Sequence, residues 1–387
     1  MPVKNRFAEM LPEITEWRRD IHANPELGFE THRTAALVAE KLRAFGVDEV
    51  VTGIGQTGVV GVIRGRSLES GRVIGLRADM DALPMTEITG APYASQTAGA
   101  MHACGHDGHT AMLLGAARYL AETRNFDGTA IVIFQPAEEG EGGGRAMVED
   151  GVMERFGIQE VYGMHNWPGQ PVGSFAIRTG PFFAAADIFE IDVEGRGGHA
   201  AKPHDTIDTT LMASQIVVAL QSIVSRNADP VEQVVVSVTS FETESKAHNV
   251  IPERVRLRGT VRTLSEAARD MAEARLEAIA TGTAVAFGGR ADVRYKRNYP
   301  VTVNAPEQTD FARDVARAVA GEVGEAAVTM GGEDFSFMLN ERPGAYILVG
   351  NGDTAMVHNP AYDFNDETIP AGCSYWAEVV ERRMPAA

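Results

Sequence analysis

Through residues 9–45 the spacing of apolar positions predicts a helical region, broken at Asn24-Pro25 and ending near Gly46. Short β-rich runs then alternate with helical stretches. Strands are predicted over Val59–Ile63, Val73–Arg77, Ala130–Phe134 and Val161–Met164, with a helix over about Gly108–Glu122 between the second and third. Alternation of this kind predicts a largely parallel sheet covered by helices on both faces. From Ala185 the order becomes strand (Asp187–Val193), helix (Thr206–Arg226), two strands (Gln233–Phe241 and Arg254–Thr263), helix (Ser265–Ala286) and strand (Ala291–Arg297). That β-α-β-β-α-β order is ferredoxin-like and can fold as an inserted unit. A helix over Phe311–Val323, a strand over Ala345–Val349 and a last helix over about Ala371–Arg383 resume the first pattern. The expected fold is therefore α/β, with a catalytic domain in two segments (1–184 and 299–387) around a satellite domain (185–298).

Composition adds exclusions. With 44% hydrophobic and 23% charged residues the chain is ordinary globular material, and 35 Lys+Arg against 53 Asp+Glu gives a net charge of −18. Such a surface repels phosphate backbones and anionic headgroups, so neither nucleic acid nor a membrane is an expected partner. No apolar run approaches the ~20 residues needed to span a bilayer, and no secretion signal is visible, which makes the cytoplasm the expected compartment. The only cysteines are Cys104 and Cys373, too few for a disulfide framework. Cys104 is a candidate ligand or nucleophile, and Cys373 is expected to pack.

Gly53-Ile54-Gly55-Gln56-Thr57-Gly58 fits a dinucleotide-binding pattern but leads into the strand-like Val59–Ile63 rather than a helix, so a hairpin or loop is expected. The segment Met101-His102-Ala103-Cys104-Gly105-His106-Asp107-Gly108-His109 carries more chemistry. Imidazole and thiolate suit borderline-soft divalent metals, and a Cys-Gly-His spacing lets two side chains converge on one ion. Glu138 and Glu139 follow the Ala130–Phe134 strand, Asp79 and Asp81 follow Val73–Arg77, and His165 follows Val161–Met164. Ligands in open α/β sheets bind outside the carboxyl ends of strands, so three strands deliver metal-type groups to one edge. One of two adjacent carboxylates can bind metal while the other stays free as a base. His358, after the Ala345–Val349 strand, is a further candidate; His22, His32, His204 and His248 are read as structural or surface residues. By its position alone, His199 in Gly197-Gly198-His199 suits a structural or a catalytic part equally.

These residues resemble the co-catalytic metallopeptidase and amidohydrolase family of aminoacylase and carboxypeptidase G, in its hippurate hydrolase and indole-acetyl-amino-acid hydrolase branch. The resemblance rests on ordered motifs along the whole chain: His22–Gly28, Leu76–Pro84, the Cys104 segment, Gln135–Gly140, Met164-His165, Gly197–His199, Asn249–Glu253, Gly331–Phe335 and His358–Pro360. It implies two divalent metal ions per chain, zinc or manganese first and nickel or cobalt as alternatives, held by Cys104, His106, Glu139, His165 and His358. Glu138 is then the general base, and Asp81 orients neighbouring groups. Other branches place a ligand His where this chain has Asp79. The resemblance further implies a homodimer formed through the satellite domain. His199 would stabilise the oxyanion across subunits, while Asn249 and Arg262 would hold the substrate carbonyl and carboxylate. The implied reaction is hydrolysis of a small N-acyl amino acid with an aromatic or apolar acyl group. Two rivals are a Cys104-dependent amidase and a metal-binding homologue without turnover.

Overall fold

A computed structural model describes residues 5–386, which divide into two units. The first comprises the described residues up to Gly180, Val303–Ala327, and those from Asp334 on; the second comprises Pro181–Thr302 and Val328–Glu333.

In the first unit, eight strands form one sheet in the order Glu49–Ile54, Gly58–Arg64, Thr129–Gln135, Val73–Asp79, Glu160–Trp167, Gly344–Gly350, Phe175–Ile177, Val323–Glu325. The four central strands are mutually parallel. Their residues are buried on both faces, as their nearly unbroken apolar sequences require. The Gly53–Gly58 segment is the turn of an antiparallel hairpin between Glu49–Ile54 and Gly58–Arg64, so its glycines open no helix. Two three-residue strands, Phe175–Ile177 and Val323–Glu325, were not expected. The helix expected through Val323 stops at Ala320, because Gly321 turns to a φ of +87° and the next residues join the sheet edge.

Helices Asn5–Ala23 and His32–Ala44 flank the break at Asn24-Pro25. Helix His106–Thr123 is apolar on nearly every side and packs between Asn5–Ala23 and Ile369–Arg383. Gly115 permits the approach, since a Cβ there would lie 2.7 Å from Ile14 and 2.8 Å from Cys373 Sγ. Cys373 is buried at this contact, donating to the Met112 carbonyl at 3.2 Å. Among the described residues no helix is long and apolar enough to cross a membrane.

The second unit is built on an antiparallel sheet ordered Val234–Thr243, Arg254–Thr263, Ala185–Glu194, Arg290–Tyr299, the ferredoxin-like order. Helices Thr209–Leu220 and Glu266–Ala286 supply Met212, Ile216, Leu220, Leu276 and Ala280 to its core against Phe189, Ile191, Val255 and Leu257. The side chains alternating with that core form a ladder of ion pairs, among them Arg256–Asp192 at 2.7 Å and Arg294–Glu190 at 2.8 Å. The returning chain adds 328–333 to this unit: Ala184 N–H donates to the carbonyls of Thr329 and Gly331.

Candidate metal centre

The carboxyl ends of the central strands carry the candidate residues. Val73–Asp79 ends in Asp79, with Asp81 two residues on; Thr129–Gln135 leads to Glu138 and Glu139; Glu160–Trp167 contains His165. Cys104 and His106 flank Gly105, which has a φ of +86° and leads into the His106–Thr123 helix. A Cβ on Gly105 would collide with the side chains of Asn166 and Tyr362, so this turn needs glycine for its conformation and its packing alike. Two non-glycine residues of the site also lie in the left-handed region, Ala137 at +56° and His358 at +64°. Such strain collects where function over-determines the backbone.

Three overlapping triads bring together Cys104, His106, Glu138, Glu139, His165 and His358. These are Cys104/His106/His165, Cys104/Glu139/His358 and His106/Glu138/Glu139, each with donor atoms within 4.8 Å of one another. Cys104 Sγ lies 3.3 Å from His165 Nε2, and His358 Nε2 lies 3.2 Å from Glu139 Oε1. The loop after the sheet is pinned by Asp81, whose Oδ1 and Oδ2 accept from the Glu138 and Glu139 backbone N–H groups, each at 3.0 Å.

The hydrogen bonds fix which ring nitrogens face the centre. His106 Nδ1 donates to the Asp81 carbonyl at 2.9 Å and His165 Nδ1 to the Asn166 carbonyl at 2.6 Å. Their Nε2 lone pairs are thereby directed inward, the arrangement that metal-binding imidazoles use. His106 Nε2 is buried without a hydrogen-bond partner among the described residues and lies 4.0 Å from Glu139 Oε1. Burial would discharge His106, but Asp79, Asp81 and Glu139 push it up to about 10. Burial together with Glu139, Glu138 and Asp79 pushes the Cys104 thiol well above its usual range. The cluster thus calls for a cation. A divalent ion satisfies the orphaned imidazole and draws the thiol to thiolate, so these residues fit a metal site. The same environment opposes a Cys104 nucleophile, which would need a lowered thiol pKa.

His109 belongs to the scaffold. Its Nδ1 donates to Asp79 Oδ1 at 2.6 Å, and its Nε2 accepts from the Asn166 backbone N–H at 2.9 Å. Asp79 also accepts from Arg77 Nη1 at 2.8 Å. Burial raises its pKa, but His106, Arg77 and His109 outweigh this and hold it well below the usual carboxylate range. Arg77 is fully buried and bonds Gln135 Oε1 and Asp334 Oδ1, each at 2.9 Å.

Behind the helix start, His22 Nδ1 lies 2.8 Å from Asp107 Oδ2, and Arg18 Nε donates to Asp366 at 2.8 Å. Burial favours a neutral His22, yet Asp107 pushes it up to about 9. A folded-state pKa above the unfolded ~6.5 contributes stability that is complete below that value and is lost as pH rises through about 9. Thermal denaturation should therefore show His22→Asn less stable than wild type by ~2 kcal/mol near pH ~6, with the gap closing above pH ~9.5. A gap constant across that window would refute the charged pair.

In the second unit, the Gly198–His199 and Val250–Ile251 strands pair with His199 opposite Val250, and Ala200 N–H donates to the Asn249 carbonyl at 3.0 Å. His199 and Asn249 are thus neighbours, both exposed. Half-buried Arg262 donates through Nη1 to Thr260 Oγ1 and to the carbonyls of Val261 and Asp187. Asp187 gives its carboxylate to Arg269 instead, at 2.6 Å.

Residues 75–382 match the model of the Peptidase family M20/M25/M40. Hippurate hydrolase of Campylobacter jejuni is 43% identical over 372 residues, covering 95% of each chain. Thermostable carboxypeptidase 2 of Saccharolobus solfataricus is 41% identical over 353 residues, covering 90% of this chain and 88% of its own. Among solved structures, the YXEP protein of Bacillus subtilis, described as a dinuclear metal-binding peptidase of the M20 family, superposes with a TM-score of 0.85 at 33% identity, over 98% of this chain and 100% of its own. The chain belongs to the Peptidase family M20/M25/M40.

Proposed function

We propose that this protein is a metal-dependent amidohydrolase that cleaves N-acyl amino acids into a carboxylic acid and a free amino acid. The observation that carries the reading is the convergence of Cys104, His106, Glu139, His165 and His358, with Glu138 beside them. Those five would hold two divalent ions, zinc or manganese suiting a set of one thiolate, three imidazoles and one carboxylate. When bound, such ions lower the pKa of a coordinated water and polarise the amide oxygen. Glu138 takes the proton from the attacking water and returns it to the leaving nitrogen, which departs as an amine. Asp81 keeps the two glutamates in place through their backbone N–H groups.

In the second unit, Arg262 makes no ion pair among the described residues, its hydrogen bonds going to neutral oxygens. It suits the substrate's α-carboxylate by bidentate pairing, and Asn249 suits the carbonyl. His199 would donate to the developing oxyanion from the other subunit of a homodimer. Leu211 and Val218, seven residues apart on one helix of the second unit and 49% and 65% exposed, support that dimer surface. Sedimentation showing only monomer at working concentrations would remove both the dimer and the role in trans. The cytoplasm is the proposed compartment, where a thiol ligand stays reduced.

The deciding experiment assays metal-reconstituted protein on a benzoyl amino acid, its amide and a dipeptide, with metal content measured alongside. Two ions per chain are expected, and kcat/KM should be at least ~10-fold higher for the acid than for its amide, because Arg262 is left without its anion. Equal values would point to a general amidase, preferential cleavage of the dipeptide to a carboxypeptidase, and activity without metal would overturn the reading.

A further inference from the structure

Asn166 follows candidate ligand His165, and every polar group it has is committed within the site. Its backbone carbonyl accepts from His165 Nδ1 at 2.6 Å, and its backbone N–H donates to His109 Nε2 at 2.9 Å. Its side-chain Nδ2 donates to the Cys104 carbonyl at 2.6 Å, and its Oδ1 accepts from the Tyr362 hydroxyl at 2.8 Å. All four partners are buried. The amide also packs so closely on the Cys104-Gly105-His106 turn that a Cβ at Gly105 would strike it.

Cys104 and His165 come from segments 61 residues apart, and their donor atoms lie 3.3 Å from each other. Besides that contact, Asn166 bonds both, the ring of one and the backbone of the other. Through His109 it is further tied to Asp79 and so to buried Arg77. Tyr362, four residues beyond His358, brings the last candidate ligand's segment onto the same amide.

Resting on the metal-site reading above, we propose that Asn166 is a positioning residue that sets the angle between Cys104 and His165 and thereby the affinity and thiolate geometry of the centre. It has no part in holding the substrate. Outer groups that orient metal ligands typically control affinity roughly 10–100-fold, which sets the scale expected here.

The test is titration of cobalt(II) into the metal-free full-length protein, following the thiolate-to-cobalt charge-transfer band. Wild type should develop the band. Asn166→Ala, and Asn166→Asp, which keeps the acceptor for Tyr362 but loses the donor to Cys104, should bind roughly 10–100-fold more weakly with the band shifted or diminished. In the zinc- or manganese-saturated enzyme both should lose kcat with KM little changed. Tyr362→Phe, which leaves the bonds to Cys104 and His109 intact, should show a smaller change in the same direction, and it decides the matter if the Asn166 variants do not fold. Variants with wild-type affinity and an unaltered band, even if less heat-stable, would reduce Asn166 to a structural part and overturn the proposal. Wild type that takes up no cobalt would instead overturn the metal reading itself.

Discussion

Glu138→Gln should lower kcat by roughly 10²–10⁴-fold while metal content stays near that of wild type. The substitution removes a proton acceptor and leaves shape and neighbours alone. The loop is held by the Glu138 and Glu139 backbone N–H groups on Asp81, contacts that the side chain does not make. Glu139→Gln should behave differently, because Glu139 Oε1 faces His358 at 3.2 Å and His106 at 4.0 Å. That variant should lose metal and activity together. Two neighbouring carboxylates would then be separated into base and ligand by measuring turnover and metal content on the same samples. If both variants lose metal equally, or Glu138→Gln turns over at the wild-type rate, the assignment of roles fails.

The second large effect concerns stability. Arg77→Met should destabilise the protein by about 3–5 kcal/mol, read from the chemical denaturation of the first unit's signal. Arg77 is fully buried and divides its guanidinium among Asp79, Gln135 and Asp334. Methionine fills much of the volume but removes the guanidinium that the two buried carboxylates Asp79 and Asp334 share. Arg77→Lys keeps the charge and cannot reproduce a planar three-way fork, so it should fall between. A loss below ~1 kcal/mol for Arg77→Met would show that the carboxylates relax by taking up protons, at little cost.

The layout of the central sheet was legible because four buried parallel strands each write an apolar run, and the position of Asp79, Glu138, Glu139 and His165 after those runs marked one edge as the place for chemistry. The Gly53–Gly58 segment could be read as a turn because a strand, and no helix, follows it. Strands Phe175–Ile177 and Val323–Glu325 escaped notice since three residues are too few to show a period. The supporting residues were hidden for another reason. His109 lay in plain sight among candidate ligands, yet its two nitrogens are spent on Asp79 and Asn166. Arg77 meets Asp334 across 257 positions, and Asn166 meets Tyr362 across 196. Polar networks of this kind are closed by the fold, and nothing local in the sequence records which donors will find which acceptors.

The strand order has a consequence for how the chain is made. Gly344–Gly350 pairs in parallel with Glu160–Trp167 inside the sheet, although Val161 and its partner Gly344 lie 183 positions apart with the second unit between them in the chain. During synthesis, the inserted unit has its whole antiparallel sheet available before Gly344 leaves the ribosome, whereas the larger unit does not. Until then Glu160–Trp167 presents an open, apolar edge, the kind of surface that invites pairing with the wrong chain. Four of the five candidate ligands are in place by residue 165, and the fifth, His358, arrives only behind the missing strand. A nascent chain would thus meet its metal with an incomplete set of donors, and a truncation before residue 344 should yield aggregation-prone material even where the inserted unit is well folded.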